Sequence, residues 1–132
     1  MSTACHCIHL KTATRKLTAL YDAALEPMGI NISQFSLLRN IERRQPVSLT
    51  ELGRALHLDR STMGRNIRVI EKMGLVETGR GDDQREQQVS LSEQGAVLLR
   101  KAEPIWDDCQ AEVVRRLGEQ RLKALREINA LL

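Results

Sequence analysis

The sequence predicts a mainly α-helical fold with one small β-hairpin, and three observations predict it. Apolar residues recur at steps of three and four through most of the chain, the period of helix faces packed on a core. Only 2% of the residues are aromatic, so the core must be built from Leu, Ile, Val, Met and Ala, which suit helices better than a β-sandwich. After Gly74 the pattern changes to two short strand-like runs bounded by turn residues. A chain of 132 residues is one domain's worth, and 42% hydrophobic with 28% charged residues excludes a disordered one.

The first helix follows from Leu10, Ala13, Leu17, Leu20, Tyr21, Ala24, Leu25 and Met28, all on one face. It ends at the Pro27-Met28-Gly29 breaker. Ser33 is placed to cap a second helix carrying Phe35, Leu38 and Ile41, which stops before Gln45-Pro46. Ser48-Leu49-Thr50-Glu51 has the form of a capping box and opens a short helix reaching about Leu56. After His57-Leu58, Asp59 can cap a fourth helix with Met63, Ile67, Ile70 and Met73 inward, and Gly74 can end it in a left-handed cap. Residues 75–78 and 87–91 read as strands, with the polar stretch 79–86 between them. Ser92 then starts a long helix with Leu98, Ala102, Ile105, Cys109 and Val113 on one stripe, kinked at Pro104 and broken at Gly118. Leu122, Leu125, Ile128 and Leu132 mark a last helix.

Two short helices followed by a β-hairpin outline a winged helix-turn-helix. The charge distribution supports a nucleic-acid partner: residues 1–32 sum to +1, residues 33–85 to +3 and residues 86–132 to −1. Arg60, Arg65, Arg68 and Lys72 are opposed only by Glu71 on their helix. That helix presents Arg60, Ser61, Thr62, Arg65 and Arg68 outward, with Gly64 among the small residues that let it approach a major groove. Arginine can donate two hydrogen bonds to guanine or grip phosphates. Arg80 and Arg85 in the hairpin would reach a minor groove or the backbone. Asp83 opposes phosphate binding directly, so its expected role is to pair with Arg85 and position it.

At these residues the chain resembles the MarR-type transcriptional regulators. The resemblance covers essentially the whole chain. It is carried by Leu49-Thr50-Glu51-Leu52, Leu58-Asp59-Arg60-Ser61-Thr62, Ile70-Glu71-Lys72-Met73-Gly74-Leu75-Val76 and Asp83-Gln84-Arg85, followed by Leu91-Ser92-Glu93-Gln94-Gly95. It implies one winged helix-turn-helix part over residues 33–91, with an α-helical dimerisation region formed by residues 1–32 and 92–132. It also implies a homodimeric regulator, most often a repressor, acting on double-stranded DNA. The broad apolar faces of the first and last helices agree with this, and Leu10, Leu17, Leu122, Leu125 and Ile128 are the expected dimer contacts. Two reading heads on a twofold axis match a pseudo-palindromic site with half-sites about 34 Å apart.

Cys5-His6-Cys7-Ile8-His9 is the densest cluster of reactive side chains. Cys5, Cys7, His9 and Cys109 are candidate ligands for a soft metal, although the spacing is not a standard zinc motif. Three cysteines do not make a disulfide framework. From Cys7 through Ala13, Arg15, Thr18, Tyr21, Gly29 and Gln34 the chain is similar to the organic-hydroperoxide sensors of the MarR family. That similarity implies Cys7 as the oxidised thiol, with Cys109 of a partner subunit or Cys5 as the resolving thiol. The branch carries extra tyrosines near the reactive cysteine; here Lys11 stands at one such place and Tyr21 is the tyrosine that remains.

Other classes fare worse. No nucleophile motif, phosphate-binding glycine loop or histidine–carboxylate cluster supports an enzyme, and no bound cofactor is called for. A winged-helix module that binds protein is disfavoured by Arg60, Arg65 and Arg85. The effector of a regulator is left open among an oxidant, a small molecule and a metal ion. No apolar run approaches the ~20 residues of a membrane span. The start MSTACHC lacks the features of a signal peptide, so the expected location is cytoplasmic.

Overall fold

The computed structural model describes residues 4–80 and 86–132. Helix α1 (His6–Leu25) runs into a 3₁₀ turn (Glu26–Met28), followed by α2 (Ile32–Arg44), β1 (Val47–Ser48), α3 (Leu49–Leu56), α4 (Arg60–Lys72), β2 (Val76–Arg80), β3 (Gln87–Leu91) and α5 (Glu93–Leu131). The three strands form one antiparallel sheet in the order β1-β3-β2. Among the described residues no helix is long and apolar enough to cross a membrane.

The caps explain most of the boundaries. Gly29 takes a left-handed φ of 75° and donates to the Glu26 carbonyl, which turns the chain out of α1. The expected cap Ser33 is already helical. Asn31 caps α2 instead: its side chain accepts from Gln34 N–H at 2.8 Å, and the Gln34 side chain accepts from Asn31 N–H at 3.0 Å. The reciprocal box therefore lies two residues earlier than the serine suggests. At α3 the serine half of the expected box forms, with Ser48 accepting from Glu51 N–H at 3.1 Å. Gly74 ends the α4 segment at φ 81°, as its position predicts.

The main core gathers one face from nearly every element. Phe35, Leu38 and Ile41 of α2 meet Leu52 of α3, Met63, Ile67 and Ile70 of α4, Val89 of β3, and Leu99 and Ala102 of α5. A smaller cluster of Tyr21, Cys109 and Val113 joins α1 to the middle of α5, with Leu17, Leu122 and Trp106 packed on it. β1 was not apparent from the sequence. It is two residues long, and Val47 finds its partner Val89 across forty-two positions of chain.

In α5 the expected break falls at Gly118 (φ 80°, ψ 160°), but the expected kink at Pro104 does not appear, since that residue sits within helical backbone. A proline at this depth removes one i→i−4 bond, but the change of direction belongs to the glycine.

Gly74-Leu75 and the start of α5 are fastened together. Ser92 N–H donates to the Leu75 carbonyl at 3.0 Å, the Ser92 hydroxyl donates to the Gly74 carbonyl at 2.6 Å, and Gly95 N–H donates to that hydroxyl at 3.0 Å. Gly95 lies so close that a Cβ there would sit 1.9 Å from the Leu75 carbonyl oxygen. The joint closes the base of the wing, residues 76–91, against the helix that follows.

Candidate nucleic-acid interface

α4 is held by its inward face, where Met63, Ile67 and Ile70 are buried. At 100° per residue, the opposite stripe carries Ser61, Arg65, Arg68 and Lys72, and all four are exposed. Arg60 is also exposed, at the start of the helix and beside this stripe; Thr62 is half-buried. Thr62 has two partners: its N–H donates to Asp59 Oδ1 at 2.7 Å and its hydroxyl accepts from Arg65 at 3.3 Å. The capping bonds from Thr62 hold the Asp59 carboxyl below its ordinary range, with nearby Arg65 adding to the effect. That anion sits at the positive end of the helix dipole, where it stabilises α4.

Two side-chain hooks tie the wing to the helix pair, one to α4 and one to α3. The Thr78 hydroxyl on β2 donates to Glu71, the acidic residue within α4. The Thr50 hydroxyl on α3 donates to Glu86 at 2.7 Å, just before β3. Both carboxylates are thereby engaged away from the cationic stripe. Sequence reasoning missed these hooks, because each pairs residues on different elements. Asn66 and Val69, not singled out from the sequence, are also exposed on α4, one turn from Thr62 and Arg65.

The turn between α3 and α4 depends on close backbone approach. His57 adopts φ 55° as the C-cap of α3, and Leu58 N–H returns to the Gly53 carbonyl at 2.9 Å. A Cβ on Gly53 would stand 2.8 Å from the Leu58 carbonyl oxygen. Arg80 is exposed at the end of β2, paired across the sheet with Gln87. Asp83 and Arg85, expected to act together there, lie outside the described residues.

The residues expected to pair two copies fall on α1 and the distal part of α5. Leu10, Leu125 and Ile128 are exposed, whereas Leu17 and Leu122 are half-buried against the Tyr21–Cys109–Val113 cluster. Leu10, Leu17, Leu20, Val113, Leu117 and Leu125 line one open apolar groove.

The cysteines are separated. Cys5 is the N-cap of α1 and Cys7 lies in its first turn, both exposed; Cys109 is 7% exposed in the small core. Burial pushes the Cys109 thiol above its ordinary value, and Glu112 adds to this while Arg116 partly offsets it. Tyr21 donates its hydroxyl to Gln110, and burial, with Cys109 beside it, raises its pKa as well. Among the described residues no three His, Cys, Asp or Glu side chains come together as a metal site. Cys5, Cys7, His9 and Cys109 are therefore not assembled into one within a single chain.

The sequence profile of the MarR family matches residues 28–86. The chain is similar to the M. tuberculosis transcriptional regulator MosR, solved in complex with DNA, at 35% identity and a TM-score of 0.85, covering 97% of this chain and 93% of that one. It is 29% identical over 97 residues to the organic hydroperoxide resistance transcriptional regulator of Bacillus subtilis, a match covering 73% of this chain and 66% of that protein. The S. aureus MepR–DNA complex shares the fold at 18% identity, with a TM-score of 0.85 over 98% of this chain and 99% of that one.

Proposed function

The chain belongs to the MarR family of transcriptional regulators, and from that premise we propose that it is a homodimeric repressor. It holds a pseudo-palindromic operator in the reduced state and releases it when its N-terminal cysteines are oxidised. The observation that carries DNA binding is the outward stripe of α4. Its arginines are exposed and its one acid is turned aside by Thr78. In this reading Arg60, Ser61, Thr62, Arg65 and Arg68 enter the major groove. Arg80 and Arg85, the latter positioned by Asp83, serve the wing contact. Residues 33–91 form the reading part. Residues 1–32 and 92–132 pair two copies by covering the groove that Leu10, Leu17, Leu125 and Ile128 border, with Leu122 packed beneath it as a further contact.

The sensing step falls to Cys7. It is exposed on the first turn of α1, where an oxidant can reach it, with Lys11 one turn below it. The thiolate attacks the terminal oxygen of an organic hydroperoxide: an S–O bond forms, the O–O bond breaks, and the alcohol leaves with the proton. A second thiol then displaces water to give a disulfide. Cys5 is the nearer partner in its own chain. Cys109 is unsuited to react first, because it is buried and its thiol is held protonated. Positions two apart on a helix point away from each other, so joining Cys5 to Cys7 requires the first turn of α1 to unwind at the dimer-forming end. The name of the B. subtilis relative supports an organic hydroperoxide as the oxidant.

A small planar anion is a second reading of the effector, favoured by one recess. Phe35 and Trp106 stack there at 5.6 Å, and Arg39 lies over Trp106 at 4.4 Å, beside Asn40, Arg43 and Gln110.

Fluorescence anisotropy on the DNA upstream of the chain's own gene tests the proposal. The reduced protein is expected to bind, and cumene hydroperoxide to release it, reversibly with dithiothreitol. Cys7→Ser is expected to bind normally and to ignore the oxidant. Release of that variant at the wild-type oxidant concentration would exclude Cys7 as the sensor. Binding indifferent to oxidant but weakened by an aromatic carboxylate would favour the recess. No salt-sensitive duplex binding at all would overturn the reading.

A further inference from the structure

One side chain on the outward stripe of α4 does not fit a surface built for phosphate. Val69 is 49% exposed, with Arg65 one turn before it and Lys72 one turn after. Every other exposed residue of α4 is Arg, Lys, Ser or Asn, so Val69 is the apolar member of that face. It is not there for the helix, because a β-branched residue is a poorer helix former than the Lys, Arg or Gln that solvent would equally accept. It is not there for the core either, since Met63, Ile67 and Ile70 fill the opposite face. A protein partner for this spot would have to bury the flanking guanidinium and ammonium groups along with it, a heavy desolvation cost for any ion left unpaired.

A DNA major groove removes that conflict. Its walls are phosphates, which match Arg65, Arg68 and Lys72, and its floor presents one apolar group, the C5-methyl of thymine. We propose that Val69 determines operator specificity by packing on a thymine methyl in each half-site, beside a base or phosphate held by Arg65. Asn66, one turn before Ile70 and exposed beside Val69, has the amide needed to pair with adenine N6 and N7. The inference rests on the DNA-binding reading above and deepens it, naming a position where the sequence preference comes from an apolar contact.

The test separates the two. Duplexes would be enriched from a pool with a randomised core by rounds of binding to the reduced full chain. Each thymine of the enriched site is then replaced by deoxyuridine, which deletes the methyl and preserves the pairing. One thymine in each half-site is expected to lose affinity about fourfold when replaced, the gain expected from burying a single methyl group. Val69→Ala is expected to bind the thymine and uridine duplexes equally, while Arg68→Ala keeps the difference on a weaker baseline. If the wild type binds an enriched duplex but no uridine replacement matters, or if Val69→Ala loses as much as the wild type, the inference is overturned and DNA binding stands. If no duplex is enriched, both fall.

Discussion

Replacing Gly95 with alanine is expected to produce the largest stability loss of any single methyl added to this chain. The new Cβ would stand 1.9 Å from the Leu75 carbonyl oxygen and 2.9 Å from its carbon. Both are backbone atoms, and that oxygen already accepts from Ser92 N–H at 3.0 Å. Relief requires moving the start of β2 away from α5, which breaks the Ser92 bonds and opens the contact between Leu75 and the main core. Overpacking of this kind costs about 3 kcal/mol or more when backbone must shift. In a domain of this size the melting midpoint should fall by on the order of 10 °C. Gly64→Ala is the matched control. A Cβ there meets nothing within 4 Å, and in a helix interior alanine is favoured over glycine by up to about 1 kcal/mol. Thermal melts of both variants at one protein concentration decide the matter. Equal midpoints for Gly95→Ala and the wild type would show that the close approach is not maintained in solution.

The second large effect concerns binding. Arg65→Ala combined with Arg68→Ala removes two guanidinium groups per chain from the outward stripe of α4. Neither group is buried, so the fold should survive with unchanged helical circular dichroism. Each arginine that pairs a guanine or a phosphate is worth about 1–3 kcal/mol. The double variant is therefore expected to lose at least about a hundredfold in affinity. The dependence of log K on log salt should flatten as well, because fewer counterions are released. Arg100→Ala with Lys101→Ala removes the same charge from α5 and is expected to change affinity only slightly. If the two double variants behave alike, the effect is net charge, and α4 is not the reading helix.

Much of this architecture is legible in the amino-acid sequence. The 3.6-residue period located Met63, Ile67 and Ile70 in the core and, by subtraction, the arginine face. Asp59 and Gly74 marked the ends of α4 by their chemistry, and Cys109 fell on the apolar stripe where it is indeed buried. What failed was information that no local window holds. Ser33 was the more obvious cap on type, but the chain leaving Gly29 turns two residues sooner, and Ile32 N–H is taken by Asp22 of α1 at 2.8 Å. β1 exists because β3 offers Val47 and Ser48 an edge to pair with. The hooks from Thr78 to Glu71 and from Thr50 to Glu86 join polar residues that look like ordinary surface in sequence. Gly95 could be quoted as part of a motif, but its reason, a carbonyl twenty positions earlier, is visible only in space.

The fastening of Gly74-Leu75 to Ser92 and Gly95 has a consequence for how such a protein can change. A segment tied at both ends is a closed loop, and the entropy of closing it grows only logarithmically with length, about 0.6 kcal/mol for each doubling. Residues added between Arg80 and Gln87 would therefore leave the clasp and the helices on either side in place. The length of the segment between β2 and β3 can then be altered by insertion and deletion without re-optimising the core. Evolution is given a dimension, wing length, that is nearly independent of the fold's stability.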